Sequence, residues 1–213
     1  MKYTLKKALL LGLSSLLLLT SLTSCKVNLQ SGDNGLYDKQ HGISYCHASP
    51  VYEAISLLKE YGKLTVTDTE TYTLYTIPGM DPTEMLATED FNIVYADNLD
   101  MPTLMEMMPT ILRVCTDSHE IKRLEDAIVV SKLVNEYSSG ESLEYPGITT
   151  LRSYKVRFES VNYPGFYYTL TYVEYANDLT IEDKNYGKYF LYNAFDQRFV
   201  PVGDGIHTAL GLE

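Results

Sequence analysis

Tryptophan is absent from the 213 residues, cysteine occurs three times, and 17 basic residues face 28 acidic ones. Each shortage excludes something. With so few cysteines the chain is not a disulfide scaffold. With so few lysines and arginines it lacks the basic footprint that a phosphate backbone demands, so nucleic acid is not a partner. Phosphate loops, dinucleotide fingerprints and serine-nucleophile elbows are missing as well. The longest apolar run, Ala8 to Leu19, is interrupted by Gly12, Ser14 and Ser15. It falls short of the about 20 residues that span a bilayer. What is abundant is tyrosine, at 19 residues, in a composition that is 45% hydrophobic and 12% aromatic. That supply suffices for a proper core in a single domain.

Lys2, Lys6 and Lys7 precede the apolar run, and Leu22-Thr23-Ser24-Cys25 follows it. A basic end, a short greasy segment and a small-residue cleavage site make an export signal. Leu22-Thr23-Ser24-Cys25 resembles the lipobox of bacterial lipoproteins. The resemblance implies that residues 1–24 are a signal peptide and that Cys25 carries diacylglycerol on sulfur and an acyl chain on its amine. It places the mature chain on a cell membrane or outer membrane, at the extracytoplasmic face. Two or more acyl chains anchor firmly, because each buried CH₂ adds about 0.8 kcal/mol. All the acidic residues lie after Cys25 and three of the basic ones before it. The mature part therefore has 14 basic against 28 acidic residues, a net charge of −14. That charge keeps the domain from lying flat on anionic lipid.

Residues 25–44, the lipidated cysteine and a polar, glycine-bearing stretch, read as a flexible tether that spans roughly 25 Å. Residues 45–213 read as one α+β domain, with a helical part over about 49–138 and a β part over about 150–207. Ser49-Pro50 predicts a helix start, with Val51, Ala54, Ile55 and Leu58 on one face and Gly62 at its end. Alternation from Leu64 to Ile77 predicts a strand or hairpin, and Phe91 to Tyr95 a short strand. Asp100 caps a helix that Pro109 should split. Asp117 and Glu120 have the spacing of a capping box before an amphipathic helix through Ile121, Leu124, Ile128 and Val134. Beyond Gly140 the pattern is β. Tyr154, Val156 and Phe158 alternate with charged residues. Tyr163-Pro164-Gly165-Phe166 reads as a turn, and Phe166, Tyr168, Leu170 and Tyr172 as a core face. A second pair, about 188–193 and 198–202, turns around Ala194-Phe195-Asp196. The expected architecture is two or three helices packed on an antiparallel meander.

Two sets of residues invite a functional reading. Gln40 precedes Cys46 by six positions and a predicted helix follows, which is similar to the nucleophile segment of papain-like and C39-like cysteine peptidases. The resemblance implies Cys46 as nucleophile, Gln40 as oxyanion donor and His207 as base. A thiol ahead of a helix N-terminus would be acidified and an amide donor would stabilise the intermediate. The bland alternative is a packed cysteine, or a disulfide between Cys46 and Cys115 worth on the order of 4 kcal/mol. The other set is the tyrosines. With Phe166 to Tyr172 on the core face, Tyr167 and Tyr175 should point outward and form an exposed amphipathic patch of the kind that binds protein or glycan. Neither the Cys/His pairs nor the acidic loops have the spacing of a zinc site or an EF-hand, so no metal or other cofactor is expected. The favoured reading is a membrane-anchored, non-catalytic binding or interaction module, with the cysteine hydrolase as its rival.

Overall fold

The structure, a computed structural model, describes residues 27–32, 35–67, 70–117 and 119–211. Residues 1–24, expected as a signal peptide, and Cys25, expected to be lipidated, lie outside the described residues. The fold is mostly β rather than α+β, which corrects the expected class.

The first half is a barrel. Its strands are β1 (Val27–Gly32), β2 (Gly35–Asp38), β3 (Ile43–His47), β5 (Glu60–Thr67), β6 (Glu70–Thr76), β7 (Met85–Thr88) and β8 (Ile93–Ala96). They close in the order β1-β2-β3-β8-β7-β6-β5. Parallel pairing of Val27 with Gly62 and Leu29 with Leu64 closes the ring. Leu36, Tyr45, Leu74, Leu86 and Val94 fill it. The stretch expected as a tether thus supplies β1 and β2 and the start of β3. The predicted hairpin after Leu64 is present as β5–β6.

The predicted helix after Pro50 is absent. The short strand β4 (Tyr52–Ala54) leaves the barrel and pairs with Phe166–Tyr168 of the second sheet. Its neighbours take the backbone groups a helix would have satisfied internally: Ala54 N donates to Phe91 O at 2.9 Å and Ile55 N to Gly165 O at 3.0 Å. Such distant partners leave no local signal, and the apolar spacing suits either backbone.

The second half runs α1 (Leu104–Met107), β9 (Ile111–Cys115), β10 (Glu120–Leu124), α2 (Ala127–Ser139), β11 (Arg152–Ser160), β12 (Tyr163–Glu174) and a small hairpin, β13 (Thr180–Ile181) with β14 (Lys184–Asn185). It ends in β15 (Tyr189–Asn193), β16 (Arg198–Pro201) and α3 (Gly205–Leu210). The sheet order is β10-β9-β11-β12-β15-β16. The long strand β12 carries β11 along one edge and divides the other between β4 and β15. The meander from β11 to β16 matches the alternation in the sequence.

The helices are shorter than expected and start elsewhere. Thr103 and Glu106 form the capping box of α1, and Met108 ends it in the left-handed region one residue before Pro109. Asp117 and Glu120 open no helix, because Thr116 and His119 close the β9–β10 hairpin. Asp126 caps α2, accepting from the amides of Ile128 and Val129. This later start rotates the buried face to Val130, Leu133, Val134 and Tyr137, and leaves Ile128 82% exposed.

Tyr163-Pro164-Gly165-Phe166 lies inside β12, and the chain reverses at Val161-Asn162. Gly165 is there for close approach: a Cβ would collide with Met80 and Ile77. At this seam one continuous core forms. Ile77, Met85, Ala87 and Ile93 from the barrel join Tyr52, Phe166, Leu170 and Tyr172 of the sheet and the buried faces of α1 and α2.

Candidate functional site

The sheet face opposite the helices is ordered in rows by strand register. One row runs Ile111, Glu159, Tyr167, Glu53; the next Arg113, Arg157, Thr169; the third Cys115, Lys155, Thr171, Tyr192. Tyr167 points to this face, as alternation predicts, yet it is only 8% exposed. The guanidinium of Arg113 lies 5.8 Å from its ring centre and that of Arg157 lies 5.5 Å away. Arg113 Nε donates to Glu159 at 2.7 Å and its Nη1 to Glu120 at 2.6 Å, while Arg157 makes a two-pronged pair with Glu53. Burial pushes the Tyr167 hydroxyl pKa up, and Arg113 only partly offsets it. Tyr175 is 4% exposed, packed edge-on against Phe190 and Phe199 under Leu143, Tyr145, Ile181 and Tyr186. The outward direction of both tyrosines was legible, but their exposure was not. The patch expected at Tyr167 and Tyr175 is covered by ion pairs in one case and by a loop and hairpin in the other.

Next to this network the face sinks into a cleft of about 260 Å³. Its floor is Thr169 and Thr171 of β12 and Glu53 of β4; Asp90 and Asn92, from the β7–β8 turn, form one wall and the β15–β16 turn the other. Asn193 builds that second wall by accepting from the amides of Phe195 and Asp196 and donating to Asp196 Oδ2 at 2.8 Å. This turn holds Phe195 at the rim, 63% exposed. Glu53 is already engaged by Arg157, Thr169 and Lys155. The side chains of Asp90, Asn92 and Thr171 make no hydrogen bond among the described residues. Lys155 is 45% exposed, with its Nζ at 3.6 Å from Glu53. The cleft therefore presents open donors and acceptors beside an aromatic face. Its residues come from five separate segments, and only Phe195 in a turn was a local signal.

The residues of the hydrolase reading lie apart. Cys46 sits on β3, paired with Tyr95 of β8. Gln40 is exposed in the β2–β3 turn, where its backbone N donates to Asp38 Oδ1 at 2.9 Å. His207 lies on α3 with Nδ1 3.3 Å from Glu174 Oε2, and Arg152 reaches the other carboxylate oxygen at 3.2 Å. Glu174 ends β12 roughly 20 Å along the strand from the point where β4 attaches. The imidazole serves the sheet and not the thiol. No disulfide joins Cys46 to Cys115 either: the first belongs to the barrel and the second, buried, to the sheet.

A cluster that sequence reasoning missed caps the barrel. The fully buried Asp38 accepts from Tyr61 Oη and from His41 Nδ1, each at 2.6 Å, and from the amides of Gln40 and His41. Asp38 closes the β2–β3 turn as an Asx-type cap, a structural role. Among the described residues no group of three metal-ligand side chains gathers, and no helix is long and apolar enough to cross a membrane. Comparison with protein-family models, with curated proteins and with solved structures yields no match.

Proposed function

We propose that this chain is a lipid-anchored, extracytoplasmic binding protein that holds a saccharide in the cleft beside Phe195. The observation that carries the ligand class is the exposed Phe195 set against Asp90, Asn92 and Thr171, whose polar groups remain open, with the half-exposed Lys155 ammonium beside them. A sugar offers an apolar C–H face to a ring and a rim of hydroxyls to carboxylate, amide and ammonium groups. The basic end, the short apolar run and the Leu22-Thr23-Ser24-Cys25 segment support export and anchoring at Cys25. Because β1 begins at Val27, at most about 7 Å of chain separates it from the acylated residue. The barrel then stands at the headgroups instead of floating on a long tether.

Calorimetric titration with soluble oligosaccharides of hexoses and N-acetylhexosamines tests the cleft. Phe195→Ala should weaken binding about tenfold, near 1.4 kcal/mol, the size of a lost stacking contact. Stability should change by less than about 0.5 kcal/mol, since the ring is outside the core. Absence of binding across the panel, or binding indifferent to Phe195→Ala, would sink the saccharide reading.

A further inference from the structure

A groove of about 520 Å³ runs between α2 and α3, on the side of the sheet away from the cleft. Val129, Leu133, Leu124 and Ala209 give it an apolar floor, and Asp126, Glu136 and Asp204 stand along it with Lys132. Lys132 is already committed to Glu136 at 3.7 Å, so the rim is net acidic. At the N-terminal end of α2, Ile128 adds an almost fully exposed apolar side chain.

We infer that this groove docks an amphipathic segment of another protein, with an apolar anchor between the helices and lysine or arginine beside it. The charge selects the occupant. Anionic lipid would be repelled by the rim, and a second copy of a chain carrying −14 beyond Cys25 would bring more acid to the same place. A basic amphipathic helix brings its apolar face to the floor and its cations to Asp126 and Asp204, the helix-in-groove arrangement with complementary charge. The inference is independent of the saccharide reading, since no residue of the cleft takes part.

Gly205 supplies the test. It lines the groove, and a Cβ there would meet Val129 Cγ1 at 3.5 Å and Leu133 Cδ1 at 3.9 Å, ordinary contacts. Gly205→Leu therefore fills the groove without a clash at its first atom. The probes are two synthetic helical peptides of about five turns with the same leucine face, one with lysines and the other with glutamates on the polar face. Anisotropy is measured against the full-length protein in phosphocholine nanodiscs, with empty discs as the blank. The lysine peptide should bind and the glutamate peptide should not. Gly205→Leu should weaken binding at least about tenfold, as should Thr208→Lys, which places a cation on the exposed rim. Phe195→Ala should leave it unchanged. Binding that survives both groove variants would be diffuse attraction to an acidic protein and would overturn the inference. Equal binding of the two peptides, no binding, or a dimer that Gly205→Leu dissolves would overturn it too.

Discussion

Replacing Phe166 by alanine should lower stability by about 3–5 kcal/mol, the cost of an aromatic deletion in a packed core. Phe166 has no exposed surface. It sits edge-on to Tyr52 at 5.9 Å between ring centres, and 5.6 Å from Tyr163, where the barrel meets the sheet. Domains of this size have about 5–15 kcal/mol to lose, so the melting point should fall by about 10 °C. The manner of the loss matters as much as its size. Because Ile77, Met85, Ala87 and Ile93 share the core with Phe166, the urea midpoint should drop in a single transition with an unchanged slope. Two separated transitions, with the barrel melting apart from the sheet, would contradict a shared core.

Asp38→Ala should be the next most damaging change, at about 2–3 kcal/mol near neutral pH, because it strips a charged acceptor from several donors at once. Burial by itself would raise the Asp38 pKa. The hydrogen bonds from Tyr61 and His41 outweigh burial and hold it below the ordinary carboxylate range. Tyr61 responds in the opposite sense: burial and the hydrogen bond to Asp38 push its pKa up. The sign for stability follows. With a folded pKa below the unfolded value of about 3.9, the Asp38 contribution is fully present above that value and is lost as pH falls through the folded pKa. The gap in urea midpoint between wild type and Asp38→Ala should therefore be wide at about pH 7 and narrow below about pH 4. A gap that stays constant with pH would show that the carboxylate charge is not what holds the turn.

How much of this was legible depended on whether a segment's partners lie near it in the chain. Val156 and Phe158, and Phe166 through Tyr172, alternate strictly, and their strands pair with sequence neighbours, so the meander could be read. Tyr52–Ala54 pairs instead with β12, and its apolar spacing fits a helix equally well; β1 closes on the distant β5, and the polar, glycine-bearing sequence of β1 and β2 carries no period of its own. The phase of α2 is hidden in the sequence because Asp126, its cap, precedes apolar residues just as Asp117 does, and only the β9–β10 hairpin decides between them. Alternation told which way Tyr167 and Tyr175 point. It could not tell that Arg113 and Arg157 cover one and that Leu143 and Tyr145 cover the other. The cleft was invisible for a related reason: Asp90, Lys155, Thr171 and Phe195 meet only through the fold.

Lipid attachment at Cys25 is tested most directly by intact mass spectrometry of the chain purified from membranes. The expected species begins at Cys25, lacks residues 1–24, and carries the added mass of a diacylglycerol and an acyl group, with Cys25→Ala leaving no acylated product. A chain that retains Met1, or one cut nearby without any added lipid, would contradict the anchored protein described above.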